Sequence, residues 1–103
     1  MSVLTELSIF PLDKTGSLSP YVSRVIDLIR RSGLEYKLNP MGTVFETEDL
    51  RAAHLIIEEA YALLAVDCER VYLTVKIDIK KSAFNCINTK LASIEEKIGE
   101  VNK

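Results

Sequence analysis

The stretch Tyr36–Glu48, YKLNPMGTVFETE, decides the fold. Tyr36, Leu38, Val44 and Phe45 are strand formers. Between them, Asn39-Pro40-Met41-Gly42 has turn chemistry. Pro40 presets φ for the first turn position, and Gly42 is expected to supply a backbone angle that other residues resist. The spacing therefore predicts strand, tight turn, strand. Before this hairpin the chain reads strand then helix, and after it helix then strand, so the hairpin joins two similar halves.

Working outward toward the N-terminus, residues 3–10 alternate. Val3, Thr5, Leu7 and Ile9 face one way, and Leu4, Glu6, Ser8 and Phe10 the other. Residues 11–18 form a loop broken by Asp13, Gly16 and Ser17. Ser19-Pro20 reads as N-cap and N1 of a helix running to about Arg31. Val22, Val25, Ile26 and Ile29 share its apolar face, and Gly33 suits the residue after its C-cap.

Beyond the hairpin, Glu48 or Asp49 is expected to cap a second helix from Leu50 to about Ala65. Its apolar set is Leu50, Ala53, Ile57, Ala60, Leu63 and Leu64, widened by Leu55, Ile56 and Tyr61. That stripe fits either a broad core face or a partner surface. Residues 70–78, RVYLTVKID, alternate clearly: Val71, Leu73, Val75 and Ile77 against Tyr72, Thr74, Lys76 and Asp78. A third helix is expected from about Asn85 to Gly99, with Ile87, Leu91, Ile94 and Ile98 at helical steps.

The order is β-α-β, β-α-β, then a helix. Two right-handed crossovers packed together give an α+β, ferredoxin-like domain with a four-stranded antiparallel sheet plus a C-terminal helix. The 103 residues suit one domain spanning 1–103. The first and third strands are expected to be central neighbours, which sets Glu6 and Ser8 beside residues 43–46. Two helices cover one sheet face. The other carries Leu4, Glu6, Ser8, Phe10, Tyr72, Thr74 and Lys76, too apolar for a wholly wet surface. It is expected to pack against another copy. The polar residues there either satisfy one another across that interface or line a ligand pocket.

Composition narrows the function classes. A formal net charge of -2 argues against a nucleic-acid reader, whose surface is usually basic. No apolar run approaches the ~20 residues of a membrane span. The N-terminal segment lacks a basic n-region, so a cytoplasmic location is expected. Cys68 and Cys86 lack metal-ligand spacing and are expected to be free thiols. His54, the single histidine, lies four residues before Glu58, a spacing that fits a solvated helix pair. No nucleophile elbow, phosphate loop or metal cluster is visible, and an enzyme is not expected.

The whole chain resembles the small YkoF-like thiamine-binding family. The matching residues are Pro11 with Gly16 and Ser17-Leu18-Ser19 leading into Tyr21-Val22; Ser32 to Tyr36; Asn39-Pro40-Met41-Gly42-Thr43; Glu46; and Arg70-Val71 through Lys76-Ile77-Asp78. The Met-Gly-Thr turn followed by a glutamate is the most specific part. The resemblance implies non-catalytic binding of thiamine or its hydroxymethylpyrimidine portion, with no cofactor, near an oligomer interface. It also implies sheet-to-sheet dimers paired into a homotetramer, with the third helix serving assembly. The site residues it implies are Glu6, Ser8, Ser17, Ser19, Met41, Gly42, Thr43 and Glu46.

The chemistry is compatible. A carboxylate accepts from an exocyclic amine, hydroxyls donate or accept, and Met41 offers an adaptable apolar surface to a flat ring. As purely structural elements, Met41 would plug the turn and Ser17 or Ser19 would cap the helix. Two positions depart from the family pattern. Thr47 replaces the usual glycine after the glutamate and is expected to reshape the pocket rim. Lys80 stands where an arginine is usual, a point charge in place of a fork. A regulatory or assembly module sensing another small molecule is the alternative, since fold alone does not assign function.

Overall fold

Alternation along SVLTELSIFP sends every second side chain under the helices, and this segment becomes the central strand. A computed structural model describes residues 1–103. The elements are β1 (Ser2–Pro11), α1 (Ser19–Arg31), β2 (Tyr36–Asn39), β3 (Gly42–Thr47), α2 (Leu50–Ala65), β4 (Val71–Lys80) and α3 (Cys86–Ile98). The sheet order is β2-β3-β1-β4, antiparallel throughout, so β1 and β3 are neighbours as expected.

α1 and α2 cover one face. Val3, Leu7 and Ile9 of β1 pack there against Val25 and Ile29, Phe45, and Ala53, Ile56, Ala60 and Leu64 of α2. Phe45 is fully buried at the centre. Burial of such a side chain stabilises by about 1.5–3 kcal/mol. The stripe on α2 is narrower than the apolar pattern suggested: Leu50, Leu55 and Tyr61 are all exposed. Arg24 on α1 holds both oxygens of Asp67, at 2.7 and 2.8 Å, and also donates to the Leu63 carbonyl at 3.2 Å. Through that contact the guanidinium holds the Asp67 carboxyl down at about 2.

Helix ends follow local chemistry with one change. Asp49 caps α2, accepting from the Ala52 N–H at 2.7 Å. Gly33, with φ +80, closes α1 as expected. Ser19 is not the cap of α1, because the helix starts there and Leu18 is the capping residue. Ser17 Oγ instead accepts from the Ser19 N–H at 3.3 Å.

α3 lies across the opposite sheet face at one end. Its first amide, the Cys86 N–H, donates to Glu46 Oε2 at 2.9 Å, and the Ser2 hydroxyl donates to the same oxygen. Lys90 pairs with Asp78 of β4. The other end of this face stays open, with Phe10 stacked on Tyr72 at 5.7 Å between ring centroids and Tyr72 exposed. Both cysteines are free and buried.

Candidate binding site

The lengths of two strands create the site. β3 begins at Gly42, and its pairing with β1 ends at Leu7–Thr43. β1 continues through Ile9 and Phe10, paired there only with β4 on its far side. A cleft of about 360 Å³ opens between this unpaired edge, the hairpin tip and α1. That is within the range of small-molecule sites. Leu18, Val22, Ile26 and Leu38 supply apolar wall, while Ser8, Asn39 and Thr43 supply polar groups.

The hairpin tip is built differently from the sequence expectation. Gly42 does not have a positive φ. Its requirement is space, because a Cβ there would sit 3.1 Å from the Leu7 carbonyl oxygen. The turn is instead held by Asn39, whose Oδ1 accepts from the Met41 N–H at 2.9 Å. Such Asx turns are a local alternative to backbone pairing. Met41, 86% exposed, stands at the tip and lines the cleft instead of plugging the turn. Thr43 is buried at the cleft's inner end.

Ser8, Met41, Gly42 and Thr43 all line the cleft, Thr43 from the helix-covered side of the sheet and Ser8 from the β1 positions that alternate onto the open face. The structure places the other four candidates elsewhere. Glu6 is exposed on the open sheet face, with Lys76 Nζ at 3.5 Å. Glu46 lies on that same face but is 2% exposed beneath α3, and its Oε1 has no hydrogen-bond partner. Thr43 and Glu46 are three residues apart on one strand, so they point to opposite sheet faces. Ser17 and Ser19 are exposed at the entry to α1, their hydroxyls 3.0 Å apart. Ser19 lies on a shallower groove that continues along α1 past Tyr36.

Both departures from the family pattern fall outside the cleft. Thr47 is buried at the far end of β3, where its hydroxyl donates to the Asp49 carbonyl at 2.8 Å. Lys80 ends β4 opposite Ser2. Leu18, Leu38 and Asn39 were not among the expected site residues. Asn39 carried a signal, since an asparagine opening a turn closes it with Oδ1 and still has side-chain N–H donors to offer. No cluster of three or more His, Cys, Asp or Glu side chains could hold a metal.

Residues 5–95 match the sequence model of the family described as thiamine-binding protein. A UPF0045 protein of Methanothermobacter thermautotrophicus is 34% identical over 98 residues, covering 93% of this chain and 99% of the relative. A UPF0045 protein of Methanocaldococcus jannaschii is 38% identical and covers 91% and 93%. A crystal structure of a protein from the same organism superposes with a TM-score of 0.82 at 38% identity, covering 92% of this chain and 97% of that one. A candidate thiamine biosynthesis/salvage protein from Thermotoga maritima shares the fold, with a TM-score of 0.80 at 22% identity and coverage of 91% and 99%.

Proposed function

This chain belongs to the thiamine-binding protein family, and from that premise we propose that it binds thiamine or its hydroxymethylpyrimidine portion, without transforming it, in the cleft at the hairpin tip. The observation that carries this is that Ser8, Met41, Gly42 and Thr43 all line this otherwise apolar cavity. Apolar walls suit a flat pyrimidine ring, and the hydroxyls match its amine and ring nitrogens. The polar side chains of the cleft are hydroxyls and an amide. His54 sits on α2, on a separate groove with Arg51 and Glu58. This arrangement favours binding and release over a reaction.

The open sheet face supports the assembly part of the reading. Its uncovered end carries Phe10, Tyr72 and the Glu6–Lys76 pair. A second copy packed on that face would remove the aromatic pair from water. The protein then works as a cytoplasmic oligomeric carrier, store or sensor of its ligand.

Titration calorimetry with thiamine, thiamine phosphate and hydroxymethylpyrimidine tests the ligand. Thr43→Val and Ser8→Ala each remove one hydroxyl, worth about 0.5–1.5 kcal/mol, or roughly a 2- to 13-fold loss of affinity. Wild-type affinity in both variants moves the site away from the cleft. Glu46→Gln separates the two faces: unchanged affinity confines the ligand to the cleft, and loss extends the site beneath α3. Absence of binding by all three compounds to folded protein favours the alternative, a module that senses a different small molecule.

A further inference from the structure

Asn39 is the last residue of β2 and pairs with Gly42 across the hairpin. Pro40 follows it, and a proline restricts the residue before it to extended backbone. The side chain is fixed as well, because its Oδ1 accepts from the Met41 N–H at 2.9 Å. The reverse orientation would set an amide N–H against the Met41 N–H, donor against donor, so the chain itself selects which end of the amide is which. The side chain therefore meets anything in the cleft it lines as a donor, its oxygen being turned to the Met41 amide. The other polar side chains of the cleft carry hydroxyls. Thr43 is 3% exposed and its hydroxyl has no partner in the protein. That hydroxyl is not sealed in as the Thr5 hydroxyl is, and it opens onto the cleft. A hydroxyl donates or accepts as its neighbour requires, and the same holds for Ser8. No charged side chain lines the cleft. Asn39 is thus the one polar side chain there whose hydrogen-bond sense is fixed.

We propose that Asn39 determines the specificity of the cleft: it admits a pyrimidine whose ring nitrogen beside the exocyclic group is an acceptor, and rejects one in which that nitrogen carries hydrogen. The assignment rests on the cleft being the binding site. In an aminopyrimidine the ring nitrogen accepts from Asn39 Nδ2, and the adjacent amine donates to the Thr43 hydroxyl. In the oxo analogue, where a carbonyl replaces the amine, the ring nitrogen becomes an N–H. The Thr43 hydroxyl adapts by turning round and donating to the carbonyl. Asn39 cannot adapt without giving up the Met41 amide. Two donors then face each other in an apolar cleft, and an unmet donor there costs its full desolvation. A site that reads a polar group in this way discriminates more sharply than one that reads shape alone.

Titration calorimetry with hydroxymethylpyrimidine and its oxo analogue, on wild type and on Asn39→Asp, is the test. Wild type is expected to prefer the amino compound by about 5- to 150-fold, the effect of one unmet donor. Asn39→Asp keeps an oxygen for the Met41 N–H and puts an acceptor where the donors were. Its urea midpoint is expected to hold, while the preference falls to parity or inverts. A residue that only shaped the turn would leave the preference untouched. Equal affinity of wild type for the two compounds, or an unaltered preference in Asn39→Asp, overturns the role of Asn39. Thr43→Val separates that failure from failure of the site. Weaker binding of both compounds by Thr43→Val keeps the cleft as the site, so that only the role of Asn39 falls. Wild-type affinity in Thr43→Val, or no binding of either compound to folded protein, overturns both.

Discussion

Glu46→Ala is expected to free α3 from the sheet. In the native protein Glu46 Oε2 accepts from the Ser2 hydroxyl and the Cys86 N–H. The Cys86 amide belongs to the first turn of α3, where no intrahelical acceptor exists. A hydrogen bond to a charged group contributes about 1.5–3 kcal/mol. Two such bonds set a gross loss of about 3–6 kcal/mol. Part is returned, because the variant no longer buries a carboxylate whose Oε1 lacks a partner, a group that is costly to desolvate. A net loss of about 2 kcal/mol follows, equivalent to roughly a 30-fold rise in the open population of α3. Hydrogen exchange reads this locally. The Asn88 and Thr89 amides, which donate to the Asn85 carbonyl in the first turn of α3, should exchange about 30-fold faster. The Ser32 amide at the end of α1 opens without disturbing Glu46 and should keep its rate. Unchanged exchange in α3 would refute the role assigned to the carboxylate. Equal acceleration at Ser32 would show a global effect instead of a local release.

Three further outcomes follow from the same geometry. Gly42→Ala recovers about 0.5–1 kcal/mol of chain entropy but presses a Cβ against the Leu7 carbonyl. Urea denaturation should show a change within about 1 kcal/mol, while calorimetry shows weaker thiamine binding; greater stability at unchanged affinity would mean the space is not critical. Asp49→Ala removes the α2 cap and should cost about 1 kcal/mol in the urea midpoint, with Asp49→Asn largely restoring it. Asp67 is held at about 2 against an ordinary 3.8, so its folded-state pKa is depressed. Its contribution is complete above about pH 4 and lost as pH falls through about 2. Thermal melts of Asp67→Asn should therefore lie below wild type at pH 7 and converge with it toward pH 2.

Most of the architecture was legible because its signals are local. Period-two alternation marked β1 and β4, and Asp49 and Gly33 marked helix ends. What was not legible depends on contacts distant in sequence. Gly42 looked like a conformational requirement and is a steric one, set by a carbonyl 35 positions earlier. Leu55 and Tyr61 had the spacing of core residues, but the narrow sheet leaves them uncovered. For the site, Thr43 and Glu46 were grouped by family pattern, although strand parity alone separates them onto opposite faces. Burial of Glu46 under α3 depends on the Cys86 amide, forty residues away, and no periodicity carries that information.

The central place of β1 also sets the order of events during synthesis. Thr5 meets Phe45 forty residues later and Ile77 seventy-two residues later. At ribosomal rates of about 5–20 residues per second, roughly 2–6 s separate the arrival of those two partners. Through that interval a nascent sheet of β1, β2 and β3 carries one flank of its middle strand bare, and only β4 can seal it. Contacts this far apart also slow folding of the released chain. The nascent chain is therefore most open to pairing with a neighbour on the same message just before its seventies leave the ribosome.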